Sequence, residues 1–355
     1  MTAETERLAA RLGASGGLSE EEYRRLIAAF EPETAAELAR RAREAREPVY
    51  GRNVFLRGLI EISSYCKNDC LYCGLRRSNA RCERYRLSPE QILACAAEGY
   101  ALGFRTFVLQ GGEDGWFTDG VLCPLIETLK TRWPDCAVTL SLGERSRESY
   151  ARLRAAGADR YLLRHETADR EHYRRLHAPE QSFDNRLRCL RDLRELGYQV
   201  GCGFMVGSPY QDTAALAKDL KLIETFRPDM CGIGPFIPHR DTPFGAEPAG
   251  GAALTCYLLS ILRLMDPALL LPATTALATL DPLGREKGLA SGANVLMPNL
   301  SPVDVRKKYL LYDNKACTGE EAAQCVNCLT ARLRAAGYAP VVDRGDVRRA
   351  PAVSR

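Results

Sequence analysis

Eight short β-rich runs alternate with helical patterns along the chain, and this rhythm restricts the fold more than any other feature. The runs span residues 55–63, 106–111, 137–143, 160–166, 199–207, 230–237, 269–275 and 294–299. Helical patterns lie between them, at 92–100, 146–156, 184–196 and 213–226 among others. Ser88 followed by Pro89 makes a strong helix start. Gly103, Gly157 and Gly197 stand where helices should stop. Strand–helix alternation over about 250 residues matches a complete (β/α)8 TIM barrel in size and rhythm. A doubly wound open sheet shares the same periodicity. The barrel is favoured by polar residues near the C-terminal strand ends: Ser63, Gln110 with Glu113, Thr139 with Ser141, Arg164 with Glu166, Thr274 with Thr275, and Asn299. Side chains alternate along a strand, so Arg164 and Glu166 share a face, as do Thr139 and Ser141. If that face points inward, a polar pocket crowns an apolar barrel.

Residues 1–50 read as a charged N-terminal helical layer, with Ser19-Glu-Glu-Glu as a capped helix start. The barrel is expected over 51–345, including a C-terminal segment at 309–330. The tail after Pro340 reads as loose. Of 355 residues, 46% are hydrophobic, enough for a large core. The net charge of +4, from 49 Lys+Arg against 45 Asp+Glu, is too mild to argue for nucleic acid. No apolar run approaches the roughly 20 residues of a membrane span, and the first residues lack a signal-peptide pattern. Fourteen cysteines, six of them in two tight groups, fit metal binding in a reducing cytoplasm better than a secreted disulfide scaffold. The other eight read mostly as small buried hydrophobes.

The first cysteine group is Cys66-Lys-Asn-Asp-Cys70-Leu-Tyr-Cys73-Gly74, spaced C-x3-C-x2-C directly after the first predicted strand. Three thiolates can hold three corners of a [4Fe–4S] cube and leave the fourth iron open. The amino nitrogen and carboxylate oxygen of S-adenosylmethionine (SAM) suit that open position. This is the pattern of radical SAM chemistry. A zinc knuckle would want a fourth nearby ligand, and Cys82 is the only local candidate. Gln110-Gly-Gly-Glu113 ends the second predicted strand, leaving free backbone for the SAM amino group, with Glu113 beside it. Gly201-Cys-Gly and Gly232-Ile-Gly would let an adenine lie on strand backbone, or else mark tight packing. The second group, Cys317, Cys325 and Cys328, is spaced C-x7-C-x2-C. It fits an accessory [2Fe–2S] or [4Fe–4S] cluster with an incomplete protein shell. A zinc site, or plain helix-face cysteines, would carry the same spacing.

Several segments together resemble the HydE family of radical SAM [FeFe]-hydrogenase maturases, from about residue 20 to 340. They are Ile60-Glu-Ile-Ser-Ser-Tyr-Cys-Lys-Asn-Asp-Cys-Leu-Tyr-Cys-Gly, Val108-Leu-Gln-Gly-Gly-Glu-Asp, Val138-Thr-Leu-Ser-Leu-Gly-Glu, Ala158-Asp-Arg-Tyr-Leu-Leu-Arg-His-Glu-Thr, Gly232-Ile-Gly-Pro-Phe-Ile-Pro-His, Pro272-Ala-Thr-Thr-Ala and Gly292-Ala-Asn-Val-Leu-Met-Pro-Asn. The second cysteine group also matches that family. Biotin synthase and methylornithine synthase share the cysteine loop and the barrel. The resemblance implies a [4Fe–4S] cluster on Cys66, Cys70 and Cys73. It implies SAM-binding roles for Tyr72, Gln110, Gly112, Glu113, Ser141, Glu166, Arg186 and Met230. It implies substrate contacts at Thr139, Arg164, Thr274, Thr275 and Tyr309. Gly111 departs from the family, which often carries Ser there.

The family's task is assembly of the hydrogenase H-cluster. The substrate implied is a small cysteine-ligated iron carbonyl/cyanide complex. The partners implied are a reductant protein such as ferredoxin or flavodoxin and the other hydrogenase maturases, in the cytoplasm. Two other radical SAM readings remain: a methylornithine-synthase-like mutase and biotin-synthase-like sulfur insertion. An iron–sulfur carrier without catalysis would leave the polar strand ends unexplained.

Overall fold

The computed structural model describes residues 1–316, 318 and 326–349. The chain opens with α1 (Ala3–Ser15), α2 (Glu20–Ala28) and α3 (Pro32–Tyr50), then β1 (Asn53–Leu56) and β2 (Gly58–Ser63). There follow α4 (Pro89–Ala101), β3 (Thr106–Gly111), α5 (Asp119–Arg132), β4 (Ala137–Ser141), α6 (Arg147–Ala155) and β5 (Arg160–Leu162). Next come α7 (Arg170–Leu176), α8 (Phe183–Glu195), β6 (Gln199–Cys202), β7 (Met205–Val206), α9 (Thr213–Phe226), β8 (Met230–Cys231) and β9 (Gly234–Pro235). The remainder holds α10 (Ala252–Met265), α11 (Thr275–Leu280), α12 (Gly284–Ala290), β10 (Val295–Leu296), α13 (Val303–Arg306), α14 (Val326–Ala335) and β11 (Ala339–Val341).

The helix starts follow local chemistry. Ser88 accepts from the Gln91 backbone N–H while the Gln91 side chain accepts from Ser88 N–H, a reciprocal cap with Pro89 at the first turn. Ser19 and Glu22 do the same for α2. Gly103, Gly157 and Gly197 adopt φ of 92°, 110° and 77° just past α4, α6 and α8, as their positions predict.

Six strands form a parallel sheet in the order β2-β3-β4-β5-β6-β8. Single parallel bridges extend it from Met230 to Leu270, from Pro272 to Val295, and from Asn299 to Leu59. The fold is therefore α/β around a parallel sheet. Ile60, Phe107, Leu109, Val138, Leu140 and Val200 are fully buried between sheet and helices. Each such side chain contributes about 2 kcal/mol by leaving water. Helix α10 is apolar on nearly every side because α3 and α1 cover its outer face. Among the described residues, no helix is long and apolar enough to cross a membrane. Of the eight scattered cysteines, Cys95, Cys136, Cys189, Cys202 and Cys231 are buried, while Cys82, Cys123 and Cys256 are partly so.

Several expected strands are interrupted. The run 55–63 splits at Arg57 into β1 and β2. The run 199–207 splits at Gly203, where a Cβ would sit 2.1 Å from the Gly232 carbonyl oxygen. The run 269–275 forms only single bridges: Pro272 has no N–H to donate, and α11 already begins at Thr275.

The tail is not loose as far as Arg349. Strand β11 pairs with β1, Asn53 opposite Ala339. The Arg344 carbonyl accepts from Thr106 (2.7 Å) and Arg160 (2.7 Å), and Asp346 meets Arg160 at 2.5 Å. Arg57 reaches the Gly345 carbonyl at 3.2 Å, and Arg349 pairs with Asp229 (2.9 Å) and Asp266 (2.6 Å). The charges of this segment find partners at the N-terminal ends of the strands.

Candidate active site

The loop from Ser64 to Leu87 carries the first cysteine group, and its own polar side chains brace it. Arg76 forms a two-pronged pair with Asp69 (2.9 and 2.7 Å). Arg84 donates to the carbonyls of Leu75 (2.9 Å) and Arg76 (2.7 Å). Gly74 is required by close approach: a Cβ there would lie 2.2 Å from the Leu310 carbonyl oxygen. Gly112 has the same constraint, with the Tyr65 carbonyl 2.2 Å from where its Cβ would stand. The glycine pair at the end of β3 thus lets the cysteine loop lie directly on that strand end.

Cys66, Cys70 and Cys73 border one cavity of about 330 Å³ above the C-terminal strand ends. Burial raises all three thiols above the ordinary range, Cys70 to about 11 and Cys73 well above it. They ring a common volume, while among the described residues no three His, Cys, Asp or Glu side chains converge to hold a single ion. Cys66 receives the Glu113 backbone N–H at 3.4 Å, and Cys70 the Gln181 amide at 3.2 Å. Three half-buried sulfurs around an open volume, with N–H donors already aimed at two of them, suit an iron–sulfur cube rather than one zinc ion.

The same cavity is lined by Tyr72, Gln110, Gly112, Glu113, Ser141, Arg164, Glu166, Arg186, Thr274, Thr275 and Tyr309. Glu113 pairs with Lys67 at 3.2 Å. The Tyr309 hydroxyl accepts from Gln110 at 3.4 Å. Arg186 is held by Glu144 (2.5 Å) and by the Arg164 carbonyl (2.5 Å). Arg164 Nη2 lies 3.2 Å from Glu166 Oε2, off the angle of a hydrogen bond. Arg164 Nε and Nη2, Glu166 Oε2 and Thr274 Oγ1 are buried without hydrogen-bond partners. The Arg164–Glu166 ion pair and the Thr274 hydroxyl thus leave hydrogen-bonding capacity of both kinds on one cavity wall, which suits a polar ligand with donors and acceptors. Glu166 adopts φ of 66°, a left-handed conformation that side-chain-bearing residues rarely take. Strand β5 ends at Leu162, so this reversal, not strand alternation, turns Glu166 toward Arg164.

Two expected residues fall outside the cavity wall. Met230 is a correction: it opens β8 and packs with Tyr50, Phe55, Leu270 and Val295 at the opposite end of the sheet. Met205, in β7, is the methionine sulfur side chain on the cavity side, along with Met297. Thr139 lies in β4 two residues before Ser141, with its Oγ1 buried and unpartnered. Cys317 and Cys325 lie outside the described residues, and Cys328 is exposed in the first turn of α14. Of the glycine-rich runs, Gly234 reaches the cavity; Gly201 and Gly203 serve close packing against Met230 and Gly232.

Sequence reasoning missed Glu61 and Lys315. Their ion pair lies in the cavity, with side chains 1% and 6% exposed. Asn299 donates to Glu61 at 2.9 Å, and Lys315 donates to the Tyr309 carbonyl at 2.9 Å. Glu61 was findable, since it shares a strand face with Ser63. Lys315 follows α13 in irregular chain and carried no signal.

Comparison with known proteins agrees with this chemistry. Residues 60–223 match the Radical SAM superfamily. The [FeFe] hydrogenase maturase subunit HydE of Thermotoga maritima is 44% identical over 308 residues, covering 87% of this chain and 88% of that one. The 3-methylornithine synthase of Methanosarcina barkeri is 29% identical over 325 residues, covering 91% and 90%. The crystal structure of methylornithine synthase superposes with a TM-score of 0.81 at 28% identity, covering 94% of this chain and 97% of that one. The cysteine loop, the cavity above the parallel sheet and these likenesses together identify the chain as a radical SAM enzyme belonging to the HydE family of [FeFe]-hydrogenase maturases.

Proposed function

We propose that this enzyme serves [FeFe]-hydrogenase H-cluster maturation, acting on a small cysteine-ligated iron carbonyl/cyanide precursor. One observation carries the reading: three half-buried thiols share one cavity with the Arg164–Glu166 ion pair and with a Thr274 hydroxyl that has no hydrogen-bond partner. Cys66, Cys70 and Cys73 would hold a [4Fe–4S] cluster. When bound, the cluster and SAM supply a 5′-deoxyadenosyl radical by one-electron reduction of the sulfonium. Gln110, Gly112, Glu113, Ser141, Glu166 and Arg186 would seat SAM, with Tyr72 beside the sulfurs. Arg164 offers a fixed cation for a carboxylate, and Thr274 and Thr275 offer hydroxyls to an anionic ligand. Thr139 would extend this polar wall inward. Tyr309 covers the ligand from the C-terminal side and helps exclude water, which a free radical requires.

The arrangement also supports a closed (β/α)8 barrel over residues 51–345 with 1–50 as its helical layer, through the bridges at Leu270, Val295 and Asn299. Cys317, Cys325 and Cys328 would carry an accessory cluster. A ferredoxin- or flavodoxin-type reductant, the other maturases and a cytoplasmic setting complete the proposal. The likeness to methylornithine synthase keeps an amino-acid mutase as the second reading; the higher identity to HydE ranks it second.

The test is anaerobic reconstitution with SAM and reductant. The wild-type protein should form 5′-deoxyadenosine, and Cys70→Ala should lose at least about 100-fold, the scale of losing an essential catalytic group. Deoxyadenosine formation by the variant would sink the cluster assignment. Supplying the iron–cysteine complex should consume it, whereas formation of 3-methylornithine would favour the mutase.

A further inference from the structure

The turn after α7, residues 176–181, touches the cysteine loop at three points. Leu71 N–H donates to the Leu176 carbonyl at 2.9 Å. The Tyr72 hydroxyl lies 3.2 Å from His177 Nε2. Gln181 Nε2 lies 3.2 Å from Cys70 Sγ.

The direction of each side-chain bond follows from its other end. His177 Nδ1 faces the Tyr173 carbonyl at 2.9 Å. A carbonyl only accepts, so Nδ1 carries the proton, and Nε2 accepts from Tyr72. Gln181 Oε1 faces the Ala178 backbone N–H at 3.3 Å. That donor sets the amide orientation and leaves the Gln181 NH2 the nearer group to Cys70 Sγ, at 3.2 Å against 3.5 Å for Oε1.

The three cysteines are not served alike. Cys66 has backbone N–H groups from Asn68 and Glu113, and Cys73 has that of Leu75. Such donors are present whatever side chains the chain carries. Cys70 takes its hydrogen bond from a side chain, Gln181; Tyr72 lies beside it too, but its proton is directed to His177. The donor at Cys70 is therefore the one that a single substitution can remove.

We propose that Gln181 is a positioning residue that tunes the iron–sulfur site, its amide N–H hydrogen-bonding the Cys70 sulfur and setting how readily the site accepts an electron. The proposal rests on the cluster reading above. An N–H pointed at a ligand sulfur draws off negative charge and favours the reduced state, which raises the reduction potential. Removing it shifts the potential downward and makes the site harder to reduce. His177 has the complementary task of steadying Tyr72, and with it the chain between Cys70 and Cys73.

The test compares reconstituted wild-type protein with Gln181→Met, which keeps the length and loses the donor, and with Gln181→Glu, which replaces it by a carboxylate. Iron content is counted first, and the midpoint potential is then followed by electron paramagnetic resonance. The potential should shift negative in Gln181→Met and further in Gln181→Glu, at unchanged iron per chain. An unshifted potential overturns the proposal. A spectrum of the wild-type reduced cluster with 15N-glutamine labelling covers the case of a variant that fails to take up iron. Coupling from a glutamine side-chain nitrogen supports the contact, and its absence overturns it. A wild-type protein that assembles no [4Fe–4S] cluster overturns both this proposal and the reading beneath it; a normal cluster with an unshifted variant overturns Gln181 alone.

Discussion

Lys315 and Glu61 form the ion pair with the least access to water in the cavity. Asn299 donates to the second Glu61 oxygen, so both carboxylate oxygens are engaged inside the cavity. Taking away the ammonium leaves a buried charge, at a cost of about 3–5 kcal/mol. Lys315→Met should therefore lower the urea midpoint strongly, and adding Glu61→Gln in the same chain should recover most of the loss. Equal midpoints for the single and double variants would show that the pair is not coupled. At this scale the sequence was uneven as a guide. The three cysteines, the glycine pair and Arg164 could be chosen by residue type and spacing. Glu166 lines the cavity, yet not through the alternation expected of β5; its left-handed φ has no trace in composition. Met230 fails because a strand residue's depth depends on where its strand begins, and β8 begins there.

Helix α7 ends on His177, whose ring stacks on Tyr173 at 3.9 Å between centroids. Burial, reinforced by Arg186, pushes its pKa down from 6.5 to about 3. Above pH 6.5 the imidazole is neutral in both the folded and unfolded chain, and stability does not change on its behalf. Between pH 6.5 and about 3 the unfolded chain binds a proton that the folded one refuses. Stability is then lost as pH falls, by up to about 1.4 kcal/mol per unit. His177→Gln should make the fall of the urea midpoint between pH 6.5 and 4.5 shallower, the remainder coming from buried His165 and His172, and a profile parallel to wild type would contradict the assignment. Element ends were the legible part of the chain, because Ser88–Gln91 capping and the glycine stops act within four residues. Strand interruptions at Arg57, Gly203 and Pro272 were not, since each reflects a neighbour distant in sequence.

On the scale of the molecule, the C-terminal segment from β11 to Arg349 stitches together the N-terminal ends of the strands. Arg160, fully buried, depends on Asp346 for its counter-charge. Asp346 is 40% exposed, so solvent screens part of the pair. Asp346→Ala should cost about 2 kcal/mol, a fall of roughly 3 °C in Tm by calorimetry for a chain of this length. An unchanged Tm would mean that the segment lies on the surface without supporting it.

Strand β1 also dictates a timetable. It pairs with β10 and β11, Phe55 opposite Val295 and Val341, so its partners are made last. A chain emerging from the ribosome can pair β2 with β3 early, but β1 must wait for nearly the whole chain. Until then the sheet has an open seam next to the strand that carries the cysteine loop. Under the proposed cluster assignment, metal loading of that loop would belong after β10 and β11 have been made and paired with β1.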